Sequence, residues 1–162
     1  MYEDIVVVGG DLTPCTSEDV DSTEEQLDFV FPKGYREYVT RFGEGILGGS
    51  YIRIYPPHRI REELTEWRQR IEEYWFWDDG HEVLTKKQAL QCMIVGDTLD
   101  GDELIVHPDI PDRIYVLPRN SEDIHVAGDG LHEAIEWLCG SGTLTAAFDE
   151  RVFEPFDSRK LT

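Results

Sequence analysis

Apolar and polar positions alternate along this chain with two distinct periods, and the switches between them mark the elements. Thr16-Ser17-Glu18-Asp19 reads as a helix start with Thr16 as N-cap, and a short acidic helix resting on Val20 and Leu27 follows it. Pro32 suits a first helical turn. Tyr35, Tyr38, Val39 and Phe42 then fall on one face at i, i+3, i+4 and i+7, and Gly43 offers the left-handed exit. Residues Ile46 to Tyr55 read as one strand with a glycine bulge or tight bend, ended by Pro56-Pro57. Ile60, Leu64, Trp67, Ile71 and Tyr74 form an apolar stripe on a helix from about His58 to Tyr74, thickened by Trp75-Phe76-Trp77 and broken at Asp78-Asp79-Gly80.

Beyond that point the pattern is a meander. Strands are expected at Cys92–Val95, Glu103–His107, Arg113–Leu117 and Asp123–Val126, the first two joined by a turn tightest at Asp100-Gly101. A last helix runs from Asp129 as N-cap to about Leu138, and the aromatic stretch from Phe148 to Phe156 packs back on the core. The sum is an α+β fold, with a mainly antiparallel sheet of about five strands and helices packed against it.

The chain has 162 residues, which fits one domain spanning 1–162. Its 40% apolar content, with 18 aromatics, suffices for a core without disulfides or metals. No run approaches the ~18 apolar residues of a membrane span, and the acidic N-terminus is no signal peptide, so a cytoplasmic protein is expected. Cys15, Cys92 and Cys139 are odd in number and lack metal-ligand spacing, which agrees with a reducing compartment.

Charge changes the picture more. The formal net charge is −19, and it is uneven: residues 1–32 hold nine acids and no lysine or arginine, residues 33–87 balance ten against ten, and residues 88–162 hold 15 acids against five bases. Such a field repels nucleic acid and anionic membranes and attracts basic partners. Alone it is equally compatible with simple solubility.

Motifs for chemistry are missing. Asp97, Asp100, Asp102 and Glu103 crowd one loop, but their spacing is not that of a calcium loop and suits an acidic hairpin turn. The histidines His58, His81, His107, His125 and His132 are scattered, with His107 and His125 as possible neighbours on adjacent strands. There is no nucleophile elbow, no P-loop and no dinucleotide fingerprint, so no enzyme activity, cofactor or metal is expected. The four tryptophans suit core packing, with a partner groove around Trp75 and Trp77 as the alternative.

Phe31-Pro32-Lys33-Gly34-Tyr35-Arg36-Glu37-Tyr38-Val39-Thr40-Arg41-Phe42-Gly43-Glu44-Gly45 resembles the signature of the SUKH superfamily, the Smi/Knr-type domain, in which an aliphatic-Pro pair precedes an aromatic helix closed by glycines. Gly101-Asp102 and the late helix also match, so the resemblance covers roughly residues 16–140, with an extension at 1–15 and an aromatic tail at 141–162. Phe31 stands where leucine is commoner, and the 58–77 segment is longer than the family's core. The resemblance implies an α+β domain without catalytic residues, used in bacteria as toxin-neutralising immunity proteins and in fungi as cell-wall and signalling regulators. Combined with the charge, it suggests a protein partner that is a basic, nuclease-type toxin domain. An intracellular scaffold or regulator with an endogenous partner is the alternative. By charge and residue type, the expected contacts are Glu18, Glu24, Glu25, Asp97, Asp100, Asp102, Trp75 and Trp77.

Overall fold

In a computed structural model, residues 1–49, 51–73 and 82–160 are described. The order is β1 (Val6–Val7), α1 (Ser17–Leu27), α2 (Tyr35–Arg41), β2 (Gly45–Leu47), β3 (Ile52–Ile54), α3 (Pro57–Glu73), α4 (Lys86–Gln91), β4 (Met93–Thr98), β5 (Glu103–Val106), β6 (Arg113–Leu117), β7 (His125–Asp129), α5 (Leu131–Gly140) and β8 (Val152–Pro155), followed by a 3-10 turn at Ser158–Lys160. The class is α+β as expected. The strand count is higher, because the eight strands form one sheet in the order β1-β8-β2-β3-β4-β5-β6-β7.

Two local events account for the extra strands. The stretch read as a single strand at 46–55 is a hairpin, β2 against β3, with Leu47 opposite Ile52. Gly48 and Gly49 both take left-handed φ, +79° and +68°, which turns the chain back instead of bulging it. The aromatic tail does return to the core, as β8. It lies antiparallel to β2 and parallel to β1, and so fills the space between them. Phe153 carries the drive: it is fully buried against Tyr38 and Phe42.

From β3 to β7 every neighbouring pair is antiparallel. β4 is buried along its whole length, and α3 packs on it. The 4-3-4 stripe Ile60, Leu64, Trp67 and Ile71 is the buried face of α3, each side chain worth about 1.5–3 kcal/mol on full burial. Tyr35, Tyr38 and Val39 of α2 are fully enclosed, with the Tyr35 hydroxyl donating to the Tyr55 carbonyl at 2.6 Å.

Boundaries moved in three places. α5 starts at Leu131 with Gly130 as N-cap, while Asp129 ends β7 and its amide donates to Glu133 Oε2 at 2.9 Å. β7 begins at His125, two residues later than expected. α4 was not anticipated, although Thr85-Lys86-Lys87-Gln88 is a capping-box sequence. The Thr85 hydroxyl takes the Gln88 amide at 3.1 Å, and the Gln88 side chain takes the Thr85 amide at 2.9 Å. Among the described residues no helix is long and apolar enough to cross a membrane.

Candidate functional site

α1 sorts its residues by spacing. Val20 and Thr23 are buried, and α3 and α2 cover that side. Glu18, Asp21 and Glu25 recur at i, i+3 and i+7, which aligns them on the outward face, and all three are exposed, as is Asp28 at the left-handed C-cap. The Thr16 hydroxyl accepts the Asp19 amide at 3.1 Å and fixes where the stripe begins. Asp21 pairs with Arg36 at 2.5 Å. Glu18, Glu25 and Asp28 have no ion-pair partner among the described residues.

Glu24 points elsewhere. Half-buried, it accepts the Phe31 amide at 2.8 Å and lies 3.4 Å from Arg36, so it braces the turn into α2. Asp97 at the end of β4 and Asp102 in the β4–β5 loop are likewise engaged inside. Asp97, only 9% exposed, takes two hydrogen bonds from Arg53, at 2.7 and 2.6 Å, and one from the Tyr55 hydroxyl at 2.8 Å. Burial first, and the Asp97 carboxylate second, push the Tyr55 phenol far above its ordinary range. Asp102 is buried and accepts the Thr98 hydroxyl at 2.8 Å and the Arg119 amide at 3.0 Å. Asp100 alone stands exposed at the tip, before Gly101. Of the expected contacts, Glu18, Glu25 and Asp100 therefore face solvent, while Glu24, Asp97 and Asp102 hold the fold. Trp75 and Trp77 lie outside the described residues.

A groove of about 540 Å³ runs along α3, lined by Arg53, Arg59, Arg70, Arg119 and a matching number of carboxylates, so it carries little net charge. Within it burial raises the pKa of Glu103, opposed by Arg70 at 2.6 Å and by Trp67. Folded Glu103 thus keeps its proton to higher pH than the unfolded chain does. Its contribution to stability is greatest below the ordinary glutamate value of about 4.3 and falls as pH rises through the raised one. The stability advantage of wild type over Glu103→Gln should accordingly shrink as pH rises above about 4.3, as read by urea melts. A constant difference would place Glu103 in water.

At the N-terminus of α1 a second cavity, about 470 Å³, is lined by Cys15, Glu18, Asp19, Glu44, His58 and Asp157 among others. Donor atoms of Glu44, His58 and Asp157 lie within 4.8 Å of one another, and these are the residues that could hold a metal ion. Most of their lone pairs have other uses here, although Glu44 Oε2 is buried without a hydrogen bond. Glu44, 3% exposed, accepts the Ser158 amide at 2.9 Å and hydroxyl at 2.8 Å, and its second oxygen lies 3.5 Å from Arg59. Asp157 is held by Arg159 through both oxygens, at 2.9 and 3.0 Å. Two arginines at the cluster oppose a further cation, and the arrangement works as a clasp that ties the 3-10 turn to α3. Sequence spacing carried no sign of it, because Glu44 and Ser158 are 114 residues apart. Burial pushes the Cys15 thiol up to about 11, so it stays protonated at neutral pH.

His107 and His125 are not neighbours, since β6 runs between their strands. His107 is satisfied by Gln91 at 2.9 Å and the Asp109 amide at 3.1 Å, and His125 rests on the Trp137 ring.

Compared with known families, residues 14–136 match the model described as SMI1 / KNR4 family (SUKH-1). The matched span opens just before α1 and closes within α5, leaving β1 and β8 outside it. No curated protein matches the chain.

Proposed function

The chain belongs to the SMI1 / KNR4 family (SUKH-1), and from that premise we propose that it is a non-enzymatic, cytoplasmic binding protein of the immunity type, whose partner is a basic, nuclease-type toxin domain. One observation carries the reading: Glu18 and Glu25 on α1 and Asp28 at its C-cap are exposed and uncompensated, within a 32-residue stretch free of lysine and arginine. A nuclease must present cations to hold phosphates. An acidic row can occupy that same surface, speeding encounter at low salt and excluding substrate. Engaged inside the fold, Asp97 and Asp102 drop out of the contact surface, which leaves Asp100 as the one loop carboxylate available to it.

The test is capture of partners from native lysate on immobilised protein at low and high salt. Wild type should retain a basic domain that salt releases. A Glu18→Lys, Glu25→Lys, Asp28→Asn variant should bind it at least about tenfold more weakly, a loss of roughly 1.4 kcal/mol, while remaining folded by circular dichroism. Retention of only a neutral partner, indifferent to salt and to the triple variant, would support the scaffold or regulatory alternative and sink the toxin reading.

A further inference from the structure

The sheet ends on one side in β1, and that edge is unprotected. The amides of Val6 and Val8 donate inward, to the Arg151 carbonyl at 2.8 Å and the Phe153 carbonyl at 2.9 Å. By strand alternation the Val7 amide and carbonyl point the other way, off the sheet. The side chains alternate across the two faces, and Val6, Val7 and Val8 are 59%, 39% and 42% exposed, so neither face is covered there. Sheet edges are ordinarily blunted by lysine, proline, bulges or packing elements. The opposite edge, β7, has such devices: a register shift at Ile114/Tyr115, α5 packed upon it, and Glu133 capping the Asp129 amide. β1 has only its shortness and the acids Glu3, Asp4 and Asp11 beside it.

We propose that the outer edge of β1 receives an extended, basic segment of a partner protein, which joins the sheet as a further antiparallel or parallel strand. The occupant follows from charge. Glu3, Asp4 and Asp11 flank the valines, and Glu154 is exposed on the adjacent strand. A second copy of the chain would set these carboxylates against themselves, and like charges across strands are destabilising. An incoming strand that alternates apolar residues with lysine or arginine meets both the valines and the acids. Main-chain hydrogen bonds would supply affinity and the alternate side chains specificity. The charge of the occupant rests on the reading above, whereas the open edge does not. Both β1 and β8 lie outside the matched span 14–136.

The probe is a short synthetic peptide of alternating lysine and valine, added to the full chain, with serine-valine and glutamate-valine peptides as controls. Amide exchange followed by NMR should show the Val7 amide slowed about tenfold or more by the basic peptide. Val7→Pro removes only the outward amide, a tolerated change on an edge strand, and should weaken the peptide at least about tenfold with Val7→Ala little changed. Should Val7→Pro fail to fold, exchange at Val7 in wild type decides alone. Binding that leaves Val7 unprotected but is lost on Glu18→Lys with Glu25→Lys would overturn the edge site and leave the basic-partner reading standing. Equal binding of the serine peptide, or a dimer of the chain alone that Val7→Pro dissolves, would overturn the choice of occupant.

Discussion

Gly43→Ala should lower stability by about 3 kcal/mol, the sum of a left-handed backbone penalty of about 1–2 and an overlap of about 1–3. Gly43 has φ +74°, and a Cβ placed there would come 2.0 Å from the Thr13 carbonyl oxygen and 2.5 Å from its carbon. The obstruction is backbone, so no rotamer change relieves it. Gly43 is moreover bridged to Thr13 and donates to Val39 at 3.0 Å, which pins both sides of the contact. For a chain of this size the melting temperature should fall about 6–12 °C. Gly49→Ala is the calibrating control: φ is +68°, but nothing lies within 4 Å of the added carbon. It should lose only the backbone part, about 1–2 kcal/mol. Equal losses in the two variants, measured by urea melts, would show that the approach of Thr13 to Gly43 is looser than described.

Asp97→Ala should cost a similar amount, about 3 kcal/mol, for an electrostatic reason. The substitution removes the acceptor of three hydrogen bonds and leaves the Arg53 guanidinium and the Tyr55 hydroxyl without it. Arg53 keeps 29% side-chain exposure and recovers part of its hydration, which holds the loss below the 5 kcal/mol extreme of about 3–5 for buried pairs. Tyr55, 5% exposed, recovers almost none. Converting both ion-pair members to apolar residues, as in Arg53→Met with Asp97→Leu, should restore much of the stability, since it leaves no uncompensated charge. If the double variant is no more stable than Asp97→Ala in denaturant melts, the pair is not the source of the loss.

These two positions also mark how far sequence reasoning reaches. Gly43 could be read at once, because a glycine after an amphipathic run has a local cause. The helices α1, α2 and α3 and the strands β4 to β6 were legible for the same reason: their stripes repeat within a few residues. The role of Asp97 was not, since its partner Arg53 is 44 residues away on another strand. In sequence Asp97, Asp100 and Asp102 look alike, and only the register that sets Arg53 opposite Asp97 separates the braced carboxylate from the free one. The outward row on α1 was half legible. Its acids were picked out, yet Glu24 and Glu25 are adjacent and face differently, as the helical period requires. Strand β8 escaped because two of its neighbours, β1 and β2, lie more than a hundred residues earlier.

That placement governs the order in which the molecule can be assembled on the ribosome. Val6 and Val7 are made more than 140 residues before Val152–Phe153, their one neighbour in the sheet. Synthesis at about 5–20 residues per second leaves the valine-rich segment waiting several seconds for its neighbour. During that interval β2 also lacks its outer companion, so two apolar edges stand open in the nascent chain. Closing the sheet between β1 and β2 must wait for β8, the strand that follows all the others in the chain. Such a closure is slow relative to local pairing, which makes the emerging polypeptide, more than the finished one, the form in need of a chaperone.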